Sequence, residues 1–142
     1  QSVSTPSALY PQWIDFDTSV SPGANVGSTI VLALNDGIRL CWLPVPSTVE
    51  WYSFDLADMD GGAALVLSLR DGAGNVYQAG ITTGQAGGRV TAVTAAVNRV
   101  GIQPATALTV AQSYMTLVVT TAAASSSGVA GRVTGSLCVR RS

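Results

Sequence analysis

Three aspartates between positions 55 and 60 are the residues whose type and spacing could bind a metal ion. Asp55, Asp58 and Asp60 lie close together and are followed by Gly61. Calcium takes several oxygen ligands from closely spaced carboxylates. The pattern is short, however, and it lacks the later bidentate glutamate of a calcium loop, whereas Asp-Gly alone is a common hairpin turn. The sequence therefore favours a turn here, and we expect neither a metal ion nor another cofactor.

The side chains that carry most enzyme chemistry are scarce. The chain has no histidine and no lysine, and its one glutamate is Glu50. General acid–base catalysis, nucleophilic triads and most transition-metal sites draw on these residue types. A glycosidase-like pair formed by Asp55 and Asp58 has no further support in the sequence. We therefore expect a protein that is not an enzyme.

The composition indicates contacts with other proteins. Charged residues make up 11% of the 142 residues and hydrophobic ones 47%, whereas typical soluble domains have roughly 25% charged residues. So little charge suits a surface that neighbouring subunits partly cover, and we expect a homo-oligomer, a dimer or trimer. A small monomer coated with Ser and Thr is the alternative.

The same sequence argues against two kinds of partner. Its seven positive charges are arginines scattered along the chain, so the basic stripe that nucleic-acid binding requires is missing. No apolar run reaches the roughly 18 residues that span a membrane. We expect no nucleic acid and no membrane as partners.

Short apolar runs separated by turn residues predict strands. A run at 29–34 leads into Asn35-Asp36-Gly37, whose residue types accept positive φ and favour a tight turn. Residues 48–56 alternate two kinds of side chain, and leucines share one face over 64–70, as in strands with one buried face. The run at 129–141 reads as the closing strand. Since no βαβ alternation is present, the predicted fold is all-β, a β-sandwich or jelly-roll-like single domain over residues 29–142.

One short helix near residues 89–100 is the predicted exception. Valines spaced as on one helix face suggest it, and an irregular crossover strand is the alternative. These valines are Val90, Val93, Val97 and Val100.

The first 28 residues predict an extended N-terminal arm that lies along a neighbour or along its own domain. They have poor periodicity and several prolines, but they also carry aromatic residues that a disordered tail would lack. An ordinary first strand around Trp13–Phe16 is the alternative. The C-terminal arginine pair could meet an acidic partner. The candidate partner-binding residues are Tyr10, Trp13, Ile14, Phe16, Arg140 and Arg141.

The cysteines and tryptophans allow two further interpretations. Cys41 and Cys138 each fall in an apolar, strand-like run, which favours buried free thiols over a disulfide between them. The three tryptophans are expected in the core or at an interface, with a sugar- or peptide-stacking platform as the alternative. Trp42 and Trp51, on either side of the proline break, are expected near one another.

From about Ser28 onwards the chain resembles small virion proteins of tailed bacteriophages. The resemblance rests on DGIRLCWLPVPSTVEWYSFDL, on DLADMDGGAALVLSLRDG, on the loop that contains AGG, on TLVVTTAAAS and on the Gly/Val/Thr-rich closing strand. In that family a jelly-roll-like or sandwich domain coats or cements the capsid or serves as another minor head component. The resemblance implies no catalytic residues.

This resemblance implies a structural protein of a phage head, which would decorate or cement the capsid by bridging neighbouring subunits. Its partners would be the major capsid protein and further copies of itself, and it would be found on the capsid surface of a virion assembled in the host cytoplasm. A head–tail adaptor or tail component is the nearest alternative. A carbohydrate-binding module that uses exposed tryptophans is an alternative from a different class.

Overall fold

Eight strands make up most of the part of the chain that the computed structural model describes. This part comprises residues 11–18, 31–44, 47–72, 74–91, 114–127, 129 and 131–141. A 3₁₀ turn, Thr83–Gln85, precedes the sixth strand. The strands are β1 (Pro11–Asp17), β2 (Gly37–Trp42), β3 (Ser47–Leu56), β4 (Val66–Arg70), β5 (Val76–Ile81), β6 (Gly88–Thr91), β7 (Tyr114–Thr121) and β8 (Val133–Arg141).

The strands are arranged as two antiparallel sheets with jelly-roll order. One sheet runs β1-β8-β3-β6 and the other runs β2-β7-β4-β5. The first strand thus pairs with the last, the second with the seventh, the third with the sixth and the fourth with the fifth. This nested pairing is the path of one long ribbon rolled into two sheets, the double-sheet jelly roll. The predicted all-β sandwich is confirmed.

The core lies between the two sheets and is filled by alternating residues of their strands. The leucines predicted to share one face over 64–70 are buried, as are Val133, Leu137 and Val139 of β8. The Tyr52 hydroxyl of β3 donates a hydrogen bond of 2.7 Å to Gln78 Oε1 of β5, and it thereby links the two sheets. Burial raises the pKa of Tyr52 to about 12, so the hydroxyl remains a donor. Burying each large apolar side chain contributes roughly 1.5–3 kcal/mol.

A β-bulge changes the predicted faces of β3. Strict alternation places Val49 on the face opposite to Tyr52, yet both side chains are buried. The register with β8 shifts between Val49 and Trp51. An extra residue on one strand turns the following side chains to the other face. The insertion leaves Val49 in the core and Trp51 on the outer face.

The described part of the predicted N-terminal arm is the first strand of the sandwich. Residues 11–17 form β1, which pairs with β8. Phe16 is 7% exposed, and its ring lies 6.3 Å from that of Phe54 in β3. The hydrogen bonding between this segment and β8 extends to Thr18, whose N–H donates to the Val133 carbonyl at 2.9 Å. The chain here follows the alternative of an ordinary first strand, and residues 1–10 and 19–28 lie outside the described residues.

Two further predicted elements differ from the structure. Residues 89–91 belong to β6 and not to a helix, since Val90 pairs with Phe54 and is buried; residues 92–100 lie outside the described residues. The apolar run before the first turn is not a regular strand over 31–34, although Leu32 is buried and its carbonyl accepts from Ala123. The predicted turn is present, with φ of 72° at Asn35.

Candidate interaction surface

Two tryptophans form an aromatic pair on the outer face of the β1-β8-β3-β6 sheet. Trp13 of β1 and Trp51 of β3 both lie opposite Cys138 of β8. Their ring centroids are 5.6 Å apart at an interplanar angle of 74°. Trp13 is 60% exposed and Trp51 is 41% exposed. Exposed aromatic side chains that neighbour each other are typical of contact surfaces.

Cys138 lies in the same row as the two indoles. Its thiol is free and buried. Burial, and then the nearby Glu50, raise the pKa of Cys138, against the opposing effect of Arg140. A thiol with a raised pKa is a poor nucleophile. Cys138 therefore serves as an apolar filler beneath the tryptophan pair.

Two ion pairs lie on the same sheet as the aromatic pair. Arg140 Nε lies 3.1 Å from Glu50 Oε1. Farther along β3, Arg89 contacts Asp55 with two nitrogens, at 3.0 and 3.2 Å. The hydrogen bond from Arg89 lowers the pKa of Asp55. The Arg89–Asp55 pair is exposed, and pairs of this kind contribute little to folding and are screened by salt.

The structure separates the predicted partner-binding residues into two groups. Trp13 and Arg140 are exposed on the outer face. Phe16 is buried, and Ile14 packs against the core, so both support the fold. Tyr10 and the Arg141 side chain lie outside the described residues. The alternation in Trp13-Ile14-Asp15-Phe16 was the sequence signal that could have separated the outward from the inward residues.

A second aromatic cluster lies on the outer face of the β2-β7-β4-β5 sheet. The Trp42 and Tyr114 rings are in contact, with centroids 3.9 Å apart and planes inclined at 37°. The Arg39 guanidinium lies 4.7 Å from the centre of the Tyr114 ring. Trp42 and Trp51 therefore belong to opposite sheets, and the expectation that they lie together is wrong. The chain passes from one sheet to the other at the proline break between β2 and β3, and this crossing separates Trp42 from Trp51.

The acidic cluster is a structural turn. Asp60 is 1% exposed, and its carboxylate accepts hydrogen bonds from the backbone N–H groups of Gly62, Ala64, Leu65, Ala124 and Ser125. Burial raises the pKa of Asp60, but these hydrogen bonds outweigh it and lower the pKa to about 2. A carboxylate whose oxygens are already filled by N–H donors is a poor cation ligand. Among the described residues, no group of three or more His, Cys, Asp or Glu side chains could hold a metal ion.

The two cysteines lie in different sheets, and both are free. Cys41 is in β2, where burial raises its pKa to about 12. Such a thiol behaves as a small hydrophobe. No helix in the described part of the chain is long and apolar enough to cross a membrane.

Comparisons with known proteins identify the fold. No protein-family model matches the chain, and no curated protein matches it. A solved structure of the capsid of Ralstonia phage GP4 is similar to it, with a TM-score of 0.60. The fold is that of a chain in a phage capsid structure. The likeness covers 100% of this chain and 91% of that chain at 23% sequence identity, so it establishes a common architecture.

Proposed function

We propose that this chain is a structural protein of a phage head that decorates or cements the capsid and has no enzymatic activity. The observation that carries the proposal is the full-length likeness to a chain in a phage capsid structure. The jelly-roll order is in keeping with it, because viral capsid domains use this architecture repeatedly. The scarcity of acid–base side chains and the exposed aromatic pair favour a protein that works through contacts.

In the proposed mechanism, the outer face of the β1-β8-β3-β6 sheet lies across the junction between neighbouring major capsid subunits. Trp13 and Trp51 supply the apolar centre, and the Arg140–Glu50 pair supplies part of the rim. Burying apolar area gains about 25 cal/mol per Å² before the costs of association. Repetition of a modest contact over a whole shell raises the overall binding through avidity.

The number of copies in purified virions tests the proposed role. We expect hundreds of copies per particle when this protein is quantified by mass spectrometry against the major coat protein, because a decorating protein repeats with the capsid lattice. About a dozen copies would indicate the alternative of a head–tail adaptor or tail component. Absence from the particles would contradict the proposal.

Replacement of Trp13 tests which face makes the contact. We expect Trp13→Ala to weaken binding to capsids at least about tenfold, the effect of losing one central aromatic contact, with little change in melting temperature because Trp13 is exposed. Tyr114→Ala is the matched control. It removes the ring between Trp42 and Arg39, so it should lower the melting temperature but leave the binding of the folded protein unchanged. Equal losses of binding in both folded variants would contradict this assignment.

The exposed tryptophans also favour a second candidate function, carbohydrate binding. Sugar rings stack on aromatic faces, but the angle of 74° between Trp13 and Trp51 does not give one flat platform. Titration with surface polysaccharides, followed by tryptophan fluorescence, separates the two functions. A saturable change that Trp13→Ala abolishes would favour the carbohydrate-binding module.

A further inference from the structure

The two sheets of the sandwich carry different charges. The strands of the β2-β7-β4-β5 sheet contain two arginines, Arg39 and Arg70, and no Asp or Glu. The strands of the β1-β8-β3-β6 sheet contain four carboxylates together with three arginines. The four carboxylates are Asp15, Asp17, Glu50 and Asp55. One outer face is thus basic, and the opposite one is more acidic.

The two arginines of the basic face lie in one row. Arg39 of β2 and Arg70 of β4 are both opposite Thr116 of the intervening strand β7, so their Cα atoms are about 10 Å apart at the usual strand spacing. Arg39 lies over the Tyr114 ring, and Arg70 Nε donates to Ser68 Oγ at 3.1 Å. The ion pairs among the described residues use other arginines, Arg89 and Arg140. Two guanidinium groups beside an exposed aromatic cluster therefore have no carboxylate from the described part of their own chain.

The acidic face presents complementary groups. Asp15 is exposed and follows Trp13 by two positions in β1, which places both on the outer side of the strand. No ion pair to Asp15 is formed within the described part of the chain. The acidic face thus carries Trp13 beside a carboxylate, and the basic face carries Trp42 beside two arginines. The charges of the two surfaces are complementary.

We propose that copies of this chain associate through these unlike faces, with the Trp13 and Asp15 surface of one copy against the Trp42, Arg39 and Arg70 surface of the next. Such an interface joins two different surfaces, so its repetition gives a ring or an open chain according to the angle between copies. Opposite charges across the contact set the orientation and disfavour pairing of like faces. The Trp13 surface cannot contact a capsid subunit and a second copy at the same time, so this contact joins copies that are not seated on the capsid through that face. It is tested in solution without capsids, and its failure leaves the copy number in virions unaffected.

Sedimentation of the purified full chain in low salt and in about 0.5 M salt tests the proposal. One four-stranded face is a small interface, so we expect weak association with a Kd on the order of 100 µM in low salt. High salt should weaken it, because exposed charge pairs are screened. Arg39→Asp and Asp15→Arg should each weaken association about tenfold or more.

The variant that carries both Arg39→Asp and Asp15→Arg provides the decisive comparison. Each contact then again joins opposite charges, with their positions exchanged, so association should recover to within a few-fold of the original. Arg132→Asp, in the exposed loop before β8, is the control for net charge and should have little effect. If Arg39→Asp lowers the melting temperature, Arg70→Asp takes its place.

Two outcomes would overturn the proposal. One is a chain that remains monomeric at about 1 mM in low salt, ten times the expected Kd. The other is association that neither single charge reversal weakens, or that the double variant fails to restore. Association through like faces would give the second result. In that case each reversed residue would face the same reversed residue of the other copy, so the charges across the contact would still be alike.

Discussion

Gly135→Ala is expected to destabilise the sandwich by about 3 kcal/mol or more, because overpacking against backbone atoms leaves little room for relaxation. Gly135 lies in β8 between Phe16 of β1 and Phe54 of β3. A Cβ atom at this position would lie 2.5 Å from the Phe54 Cα atom and would also meet the Ser53 carbonyl oxygen. The Phe16 and Phe54 rings approach each other across the glycine. A methyl group there would therefore disturb the packing of β1 and β3 against β8.

Thermal unfolding followed by circular dichroism measures this effect. A loss of 3 kcal/mol corresponds to a melting temperature lower by roughly 10 °C in a domain of this size. Gly37→Ala is the matched control, because the added Cβ would meet only the Thr116 Cγ2 atom at 3.1 Å, a side-chain atom that can move. We expect its effect to remain below about 1 kcal/mol. Equal melting temperatures for the two variants would contradict the close packing at Gly135.

The period-two pattern of the sequence predicted the faces of individual strands well. In the closing run over 129–141 it placed Val129, Val133, Leu137 and Val139 on one side. The last three lie in β8 and are buried, whereas Val129 precedes β8 and is only partly buried. It failed at Val49, where the bulge inserts one residue and reverses the alternation. It also failed at Val90, whose helical spacing gave way to pairing with Phe54. The spacing of residues within one segment carries no information about the strand with which that segment pairs. The burial of Val49 and of Val90 depends on such pairing, with β8 and with β3 respectively.

The predicted set of partner-binding residues differs from the exposed aromatic pair for a related reason. The sequence identified Trp13 but grouped it with Phe16, which packs against Phe54 in the core. Trp51 was missed as its partner, because the two tryptophans meet only when β1 and β3 flank the C-terminal strand β8. Such long-range register is set by the whole sheet and cannot be read from either segment alone. Removing residues 1–28 would therefore remove the core strand β1 together with the exposed Trp13.

Asp60→Asn is expected to destabilise the protein by about 3 kcal/mol or more, since hydrogen bonds to a charged group contribute roughly 1.5–3 kcal/mol each and buried donors left without acceptors cost a similar amount. One carboxylate oxygen accepts from the N–H groups of Ala64 and Leu65 at 2.8 and 2.9 Å, and the other accepts from Gly62, Ala124 and Ser125. The asparagine amide has only one oxygen acceptor, so its NH₂ group would face one of these two sets of backbone N–H donors and leave them without an acceptor. The turn after β3 and the loop after β7 would then lose their common anchor.

The pH dependence of stability distinguishes this role from simple space filling. The pKa of Asp60 is about 2 in the folded chain, below the value of about 3.9 for an unfolded aspartate. Its contribution to stability is therefore complete above about pH 4 and is lost as the pH falls towards 2. In urea unfolding, the stability difference between the original chain and Asp60→Asn should be constant near neutral pH and should become smaller below pH 4.

Asp58→Asn is the control, since Asp58 is exposed and accepts one backbone hydrogen bond, at 3.2 Å from the Asp60 nitrogen. A difference that does not change between pH 7 and pH 2 would show that the charge of Asp60 does not hold these loops together.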